Sequence, residues 1–385
     1  MRFKELLESD LTDAQLKVYR EVCAGPRGRL GPPTNVLLRC PELASRTQKI
    51  GEYVRYQSSL PARISEFAIM MTARYWTAQY EWHAHCPLAL KAGLAQATAD
   101  QLARGMRPEG MQDDEAAAFQ FCTELHWNKG VSDAAFATAI KHFGENGMVD
   151  LIGISGYYTL ISMCLNINQK SVPAEVPLPM TLMKPGDSLC SAPRQEMPAA
   201  GNRAARLPDL RDEQMSQAQR AACLVFKAGP GKAVSAPMQV MLRSPELALR
   251  AQQVSEYLRF HATLPAALAQ FGIIITAKHW RAETMWHAHS KQAIDAGLNP
   301  AVVAELLGSD KPGSMSAKEA AVYQFCTELH RDKNLSDGAF NAAMEQLGEQ
   351  ATVDLIGVSG YYTLAAMILK VSQKALPPGT PTVFT

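Results

Sequence analysis

The residues of this chain best suited to chemistry sit in one stretch, Arg74-Tyr75-Trp76-Thr77-Ala78-Gln79-Tyr80-Glu81-Trp82-His83-Ala84-His85-Cys86-Pro87. On a helix, Glu81 and His85 are four apart and share a face within hydrogen-bonding reach. A carboxylate placed this way holds an imidazole in one tautomer and raises its pKa, which makes general acid–base work feasible near neutral pH. His83 is two residues from His85 and points roughly the other way. Glu–His pairs are also common on plain helix surfaces, so spacing alone does not make a site. Metal binding fits less well: His-X-His on a helix splays the two rings, and no HExxH motif or well-spaced third ligand appears. The chain also has no CxxC, no GxSxG with partners, no phosphate loop and no dinucleotide fingerprint.

The elements that would position these residues read as helices throughout. Pro41 suits a first helical position, and the pattern from there predicts a helix to about Tyr56. Pro61 opens the next, with Ile64, Phe67, Ala68 and Met71 at helical spacing. A third helix carries the His-rich segment and stops at Gly93. Further helices are predicted over 95–104, 114–128, 133–143 and 147–167, with Ser132 as an N-cap. No alternating run is long enough for a strand, so the fold class is all-α.

This pattern occurs twice. Residues 2–167 return without a gap as 206–371, a shift of 204. Trp82-His83-Ala84-His85 returns as Trp286-His287-Ala288-His289, and Phe121 to His126 as Phe325 to His330. A period this long is one whole domain copied rather than a solenoid repeat. The expected organisation is a domain over 1–167, a linker over 168–205 containing Pro173, Pro177, Pro179, Pro185, Pro193 and Pro198, a second domain over 206–371, and a tail over 372–385. Each copy serves as a control for the other. Groups kept in both are expected to be structural: Trp82, the pair His126 and His330, and Tyr157-Tyr158 beside Gly156, where two helices could pack closely. Groups kept in one copy are the first candidates for function.

Composition narrows the classes. Lys plus Arg (38) balances Asp plus Glu (37), which gives no sign of a nucleic-acid or acidic-membrane partner. No stretch approaches the ~18 uninterrupted apolar residues of a membrane span, and the first residues do not read as a signal peptide. Of the eight cysteines only Cys122 recurs, as Cys326. A disulfide framework would have been copied with the domain, so free thiols in a reducing, cytoplasmic setting are expected.

Glu66, then Ala78 twelve residues on, then Glu81 and His85, within Pro61…Glu66…Tyr80-Glu81-Trp82…His85…Ala92-Gly93-Leu94, resembles the carboxymuconolactone decarboxylase/AhpD-like superfamily. The resemblance covers both halves and implies two tandem AhpD-like helical domains. In the peroxidase branch the two middle positions are cysteines; here they are Ala78 and Glu81, and Ala282 and Met285 in the second half. Without that thiol pair the peroxide-reducing cycle has no chemistry to run on. The decarboxylase branch fits better and implies a lyase with no cofactor or metal, acting on a small carboxylated lactone or unsaturated ring acid.

The resemblance assigns His85, Glu81 and Glu66 as catalytic: His85 as proton donor, Glu81 orienting it, Glu66 positioning a proton. His83, Arg74 and Tyr80 are candidates for substrate binding, Arg74 towards a substrate carboxylate. In the second half Glu66 becomes Gln270 and Glu81 becomes Met285, while His85 persists as His289. Glu283 and His287 form a new i, i+4 pair there, so a second site at His289, His287 and Glu283 is a further possibility, set against a purely structural role. The expected partner is a small-molecule substrate, and the family's habits imply a homotrimer. An isomerase or lactone hydrolase using the same site, a non-catalytic binding or assembly protein of the same fold, and a thiol peroxidase using Cys86 remain as alternatives.

One demand is geometric. On a single straight helix Glu66 and His85 would lie roughly 28 Å apart. They can share a site only if the chain turns between them, with Thr77 as a candidate N-cap, or if a neighbouring subunit completes it.

Overall fold

The computed structural model describes residues 1–183, 187, 189, 205–309, 311–377 and 379–384. Among these residues there is no strand, and the protein is all-α. The first half contains α1 (Asp13–Ala24), α2 (Pro32–Leu37), α3 (Pro41–Tyr56), α4 (Ala62–Trp76), α5 (Gln79–Lys91), α6 (Gln96–Ala103), α7 (Asp113–Thr123) and α8 (Asp133–Ile167). The second half contains α9 (Gln217–Ala228), α10 (Ala236–Met241), α11 (Pro245–Phe260), α12 (Ala266–Trp280), α13 (Glu283–Asp295), α14 (Pro300–Gly308), α15 (Ala317–Asp332), α16 (Asp337–Leu347) and α17 (Glu349–Ser372). The expected helix over 114–128 ends in a wider π-type turn at Glu124–Asn128. The helices expected over 133–143 and 147–167 form one run broken at Gly144, whose φ of 66° and ψ of 179° are not helical. Gly348, 204 residues on, separates α16 from α17 with φ 82°. Glycine suits both positions because positive φ costs it no Cβ clash.

Local sequence explains the starts. Thr12 and Gln15 form a capping box at α1, and Ser216 and Gln219 repeat it at α9. Pro41 and Pro245 occupy the first position of α3 and α11, where a missing N–H costs nothing.

The long helices α8 and α17 pack against each other at the centre. A Cβ at Gly156 would lie 2.6 Å from Leu364 Cβ, and one at Gly360 would lie 2.6 Å from Leu160 Cβ. The close approach anticipated beside Gly156 is therefore a contact between the two halves, repeated in mirror order. Both helices are long and apolar enough to cross a membrane, yet their apolar windows are wholly buried inside the molecule. Their apolar surface is taken up by protein, and one continuous apolar core spans both halves.

Around this centre the halves exchange like contacts, as the two sides of a two-fold interface do. Arg39 pairs with Glu349 at 2.7 Å and Arg243 with Glu145 at 2.9 Å. Arg2 reaches Asp337 at 2.7 Å, and Arg206 pairs with Asp133. The buried Asp150 carboxylate accepts from Ser59 N at 2.8 Å and, across the interface, from Ser244 Oγ at 2.6 Å. Asp354 accepts from Tyr257 Oη at 2.9 Å and Thr263 N at 2.6 Å.

The repeat also runs further than residues 167 and 371. Beyond α8, Met180 N donates to Gln79 Oε1 at 3.0 Å. Beyond α17, Phe384, the counterpart of Met180, donates its N–H to Glu283, the counterpart of Gln79, at 2.8 Å. Each half is strapped at the same place by described residues that follow its last helix. Pro185, Pro193, Pro198 and Cys190 lie outside the described residues. The other seven cysteines are all free.

Candidate active site

α4 and α5 supply the acids and the imidazole, and the joint between them brings these together. Thr77 is not an N-cap: it ends α4 in the left-handed conformation (φ 49°, ψ 36°), and Ala78 leads into α5. A β-branched residue there carries strain of about 1–2 kcal/mol. Arg281 adopts the same conformation (φ 49°) in the second half. The turn folds α5 back along α4, so Glu66 and His85 meet within one chain and no second subunit is needed to join them.

His85 Nδ1 lies 2.7 Å from Glu66 Oε2, and Nε2 lies 3.1 Å from Glu81 Oε1. The three side chains form a row, carboxylate–imidazole–carboxylate, with both ring nitrogens engaged on opposite edges. All are buried, His85 at 6%, Glu66 at 8% and Glu81 at 4% exposure. Burial pushes the His85 imidazolium down, but hydrogen bonds and charge from Glu66 and Glu81 outweigh it and hold the pKa up at about 9. His85 is thus a cation that donates from Nδ1 to Glu66 and is ion-paired through Nε2 with Glu81. Such a row does not converge on a common point as metal ligands must. Among the described residues no group of His, Cys, Asp and Glu is arranged to hold a metal ion.

Further residues complete the site. Arg55, on α3, places Nε 3.7 Å from Glu66 Oε1. The Tyr158 ring stands edge-on to His85 with centroids 5.1 Å apart, and Tyr157 packs edge-on against Tyr158 at 5.1 Å. Arg27, on the loop after α1, donates from Nη2 to Tyr157 Oη at 3.1 Å. Burial raises the pKa of both phenols, and Arg27 and Glu81 act on both with opposite sign. Arg27 was not among the sequence candidates, although it becomes Gly231 in the second half. That loss in one copy was the available signal.

The substrate-binding candidates go elsewhere. Arg74 is not a solvated cation: it is 1% exposed and donates to Ala103 O at 3.1 Å and Thr181 O at 2.7 Å, fastening the strap. Its counterpart Lys278 does similar work on Leu306 O at 2.6 Å. Tyr80 and His83 neighbour each other at 6.4 Å, with Lys170 of the strap over the Tyr80 ring at 5.6 Å. Both face away from His85, as their spacing on α5 requires. His126 is fully buried with Nε2 3.1 Å from Thr72 Oγ1, and burial followed by the charge of Lys333 lowers its pKa to about 3. Cys86 is half-buried, and burial followed by Asp100 raises its thiol pKa. A thiol held protonated is a poor peroxidatic group.

In the second half His289 Nδ1 donates to Gln270 Oε1 at 2.8 Å, and Tyr362 stands edge-on to the ring at 5.2 Å. Met285 is buried where Glu81 would be. Burial, and then the charge of Arg259, lower the His289 pKa to about 3, so this ring is neutral. Glu283 and His287 do not join it. Glu283 accepts from Val383 N and Phe384 N, and His287 Nε2 donates to Pro381 O at 2.9 Å. That pair holds the tail strap in place, and the three second-half candidates form no common site.

No family model, curated protein or solved structure matches the chain.

Proposed function

We propose that the first half is a proton-transfer enzyme of the carboxymuconolactone decarboxylase type, a lyase acting on a small carboxylated lactone or unsaturated ring acid. The observation that carries this reading is the buried Glu66–His85–Glu81 row, present in one half and dismantled in the other. The halves then correspond to an active and a degenerate AhpD-like domain.

The chemistry asks for two things. When the carbon–carboxylate bond breaks, its electron pair passes into the unsaturated lactone and gives a dienolate, releasing carbon dioxide. The developing oxyanion needs nearby positive charge, and one carbon then needs a proton. Arg27, Arg55 and the His85 imidazolium set three cations against two carboxylates, leaving the site one positive charge in excess. Glu81, paired with His85 Nε2, presents the proton: His85 first passes its Nε2 proton to Glu81, and the neutral carboxyl so formed then gives that proton to carbon and returns to carboxylate. His85 is left neutral, its Nδ1–H still held by Glu66, which fixes the ring as the buried acid does in a Ser-His-Asp triad. The roles of His85 and Glu81 thus differ from donor and orienter as read from the motif. Activity requiring the imidazolium falls as pH rises through about 9.

The test is a screen of unsaturated lactone acids for carbon dioxide release, followed by His85→Ala and His289→Ala on the best substrate. The reading requires a large loss from the first and little from the second. Equal, negligible effects remove the site assignment.

A further inference from the structure

The geometry points to a carboxylate-binding subsite built by Arg27 and made possible by Gly51, absent from the second half. It rests on the proposed reaction and names the group that would hold the substrate's acid.

Arg27 carries a charge that no acid among the described residues pairs with. Its Nη2 donates to the neutral Tyr157 hydroxyl, and its Nε is buried with no hydrogen-bond partner. Among the described residues it makes no ion pair, and the largest influences on it besides burial come from Tyr157, Tyr158 and Tyr56. Arg27 is half-buried, and leaving its solvent-shielded Nε–H unpaired is costly, a cost that an anionic ligand removes. The unused Nε is one arm of the planar fork by which arginine grips a carboxylate with two parallel hydrogen bonds. Tyr157 can rotate its hydroxyl to donate to the same anion.

Gly51, on α3, is the complementary half of the device. A Cβ there would lie 2.1 Å from both Arg27 Nη2 and Tyr157 Oη. Only glycine leaves the guanidinium room to reach the phenol. In the second half position 51 becomes Ser255 and position 27 becomes Gly231. Ser255 instead faces the Tyr361 and Tyr362 phenols, the Tyr362 hydroxyl having no hydrogen-bond partner, and Gly231 has open space around it. The cation and its cradle are therefore lost together, along with the two acids around the imidazole. Arg55, by contrast, persists as Arg259. The subsite is joined to the proton row through two phenols: Tyr157, which Arg27 holds, packs edge-on against Tyr158 at 5.1 Å, and Tyr158 stands 5.1 Å from His85.

Calorimetry on the full chain tests this without turnover, with γ-butyrolactone-γ-carboxylate and its uncharged methyl ester as probes. The wild-type protein is expected to bind the acid at least about tenfold more tightly than the ester, because charge-assisted pairing is lost in the ester. Arg27→Ala removes that preference, Arg27→Lys restores part of it, and Gly51→Ser removes it with Arg27 still present. The second half already folds with Gly231 and Ser255, and near-wild-type thermal melting checks that the variants are intact. An acid preference unchanged in Arg27→Ala overturns the subsite even if His85→Ala abolishes turnover. An acid preference that depends on Arg27, with no lactone acid turned over, leaves the subsite standing and removes the reaction.

Discussion

His85 and His289 occupy the same place on the same pair of helices, behind the same left-handed turn and against the same tyrosine. One is a cation with a pKa near 9, and the other is neutral with a pKa near 3. Burial pushes both down. What separates them is two carboxylates: Glu66 and Glu81 face the first ring, Gln270 and Met285 the second. The scaffold that places the imidazole is thus separable from the charges that would make it reactive. The straps differ in the opposite sense. The second half uses an acid, Glu283, where the first uses Gln79, so the carboxylate of its Glu–His pair serves structure.

The largest effect that would break this contrast is on turnover. His85→Ala should reduce kcat by about 10²–10⁴, the range of a general acid–base group, and His289→Ala by no more than a few-fold. Steady-state rates on a confirmed substrate decide it, and comparable losses would make the halves equivalent. Next, Glu81→Gln should lower kcat more than Glu66→Gln, because Glu81 meets the substrate and Glu66 only holds the ring. The opposite order would reverse the direction of the relay.

Stability sharpens the comparison from the other side. Gly156→Ala and Gly360→Ala each force α8 and α17 apart against a leucine and should cost about 1–3 kcal/mol alike, since that contact is shared. Denaturant unfolding with a clear difference between the two would break the symmetry of the central interface.

pH acts oppositely on the two imidazoles. The His85 pKa is raised on folding, so its stabilising contribution is complete below about 6.5 and disappears as pH rises through about 9. His289, His126 and His330 are depressed to about 3, so their contributions are complete above about 6.5 and are lost as pH falls towards 3. His85→Gln should flatten the alkaline side of a melting-temperature profile and leave the acid side intact. The smallest expected change is Gln270→Glu, which should raise the His289 pKa by restoring one acid; an unmoved value would place the difference outside the carboxylates.

Much of the frame was readable before any coordinates. The helix over 41–56, the break between 143 and 147, and the stop at Gly93 followed from proline, glycine and apolar spacing, which act locally. The meeting of Glu81 and His85 followed from helix geometry. Other features depend on distant parts of the chain. Thr77 carries no sequence mark of a left-handed turn, and only the packing of α5 on α4 imposes it. Arg74 resembles a surface cation because its acceptors, Ala103 and Thr181, are remote in sequence. Arg27 lies in a loop far from the motif, and its cradle becomes visible only when Gly51 and Ser255 are compared together. The helices at Asp13–Ala24 and Pro32–Leu37 lie outside those the apolar spacing predicts, although Thr12 and Gln15 mark the start of the first.

The most direct test is nitrogen NMR of the full chain labelled at histidine ring nitrogens, titrated from acid to alkaline pH, with His85→Gln and His289→Gln to assign the signals. One ring, His85, should stay doubly protonated past neutrality and titrate near 9, while His289 stays neutral to below about pH 4. Two rings titrating together near 6.5 would contradict the charged row on which the account stands.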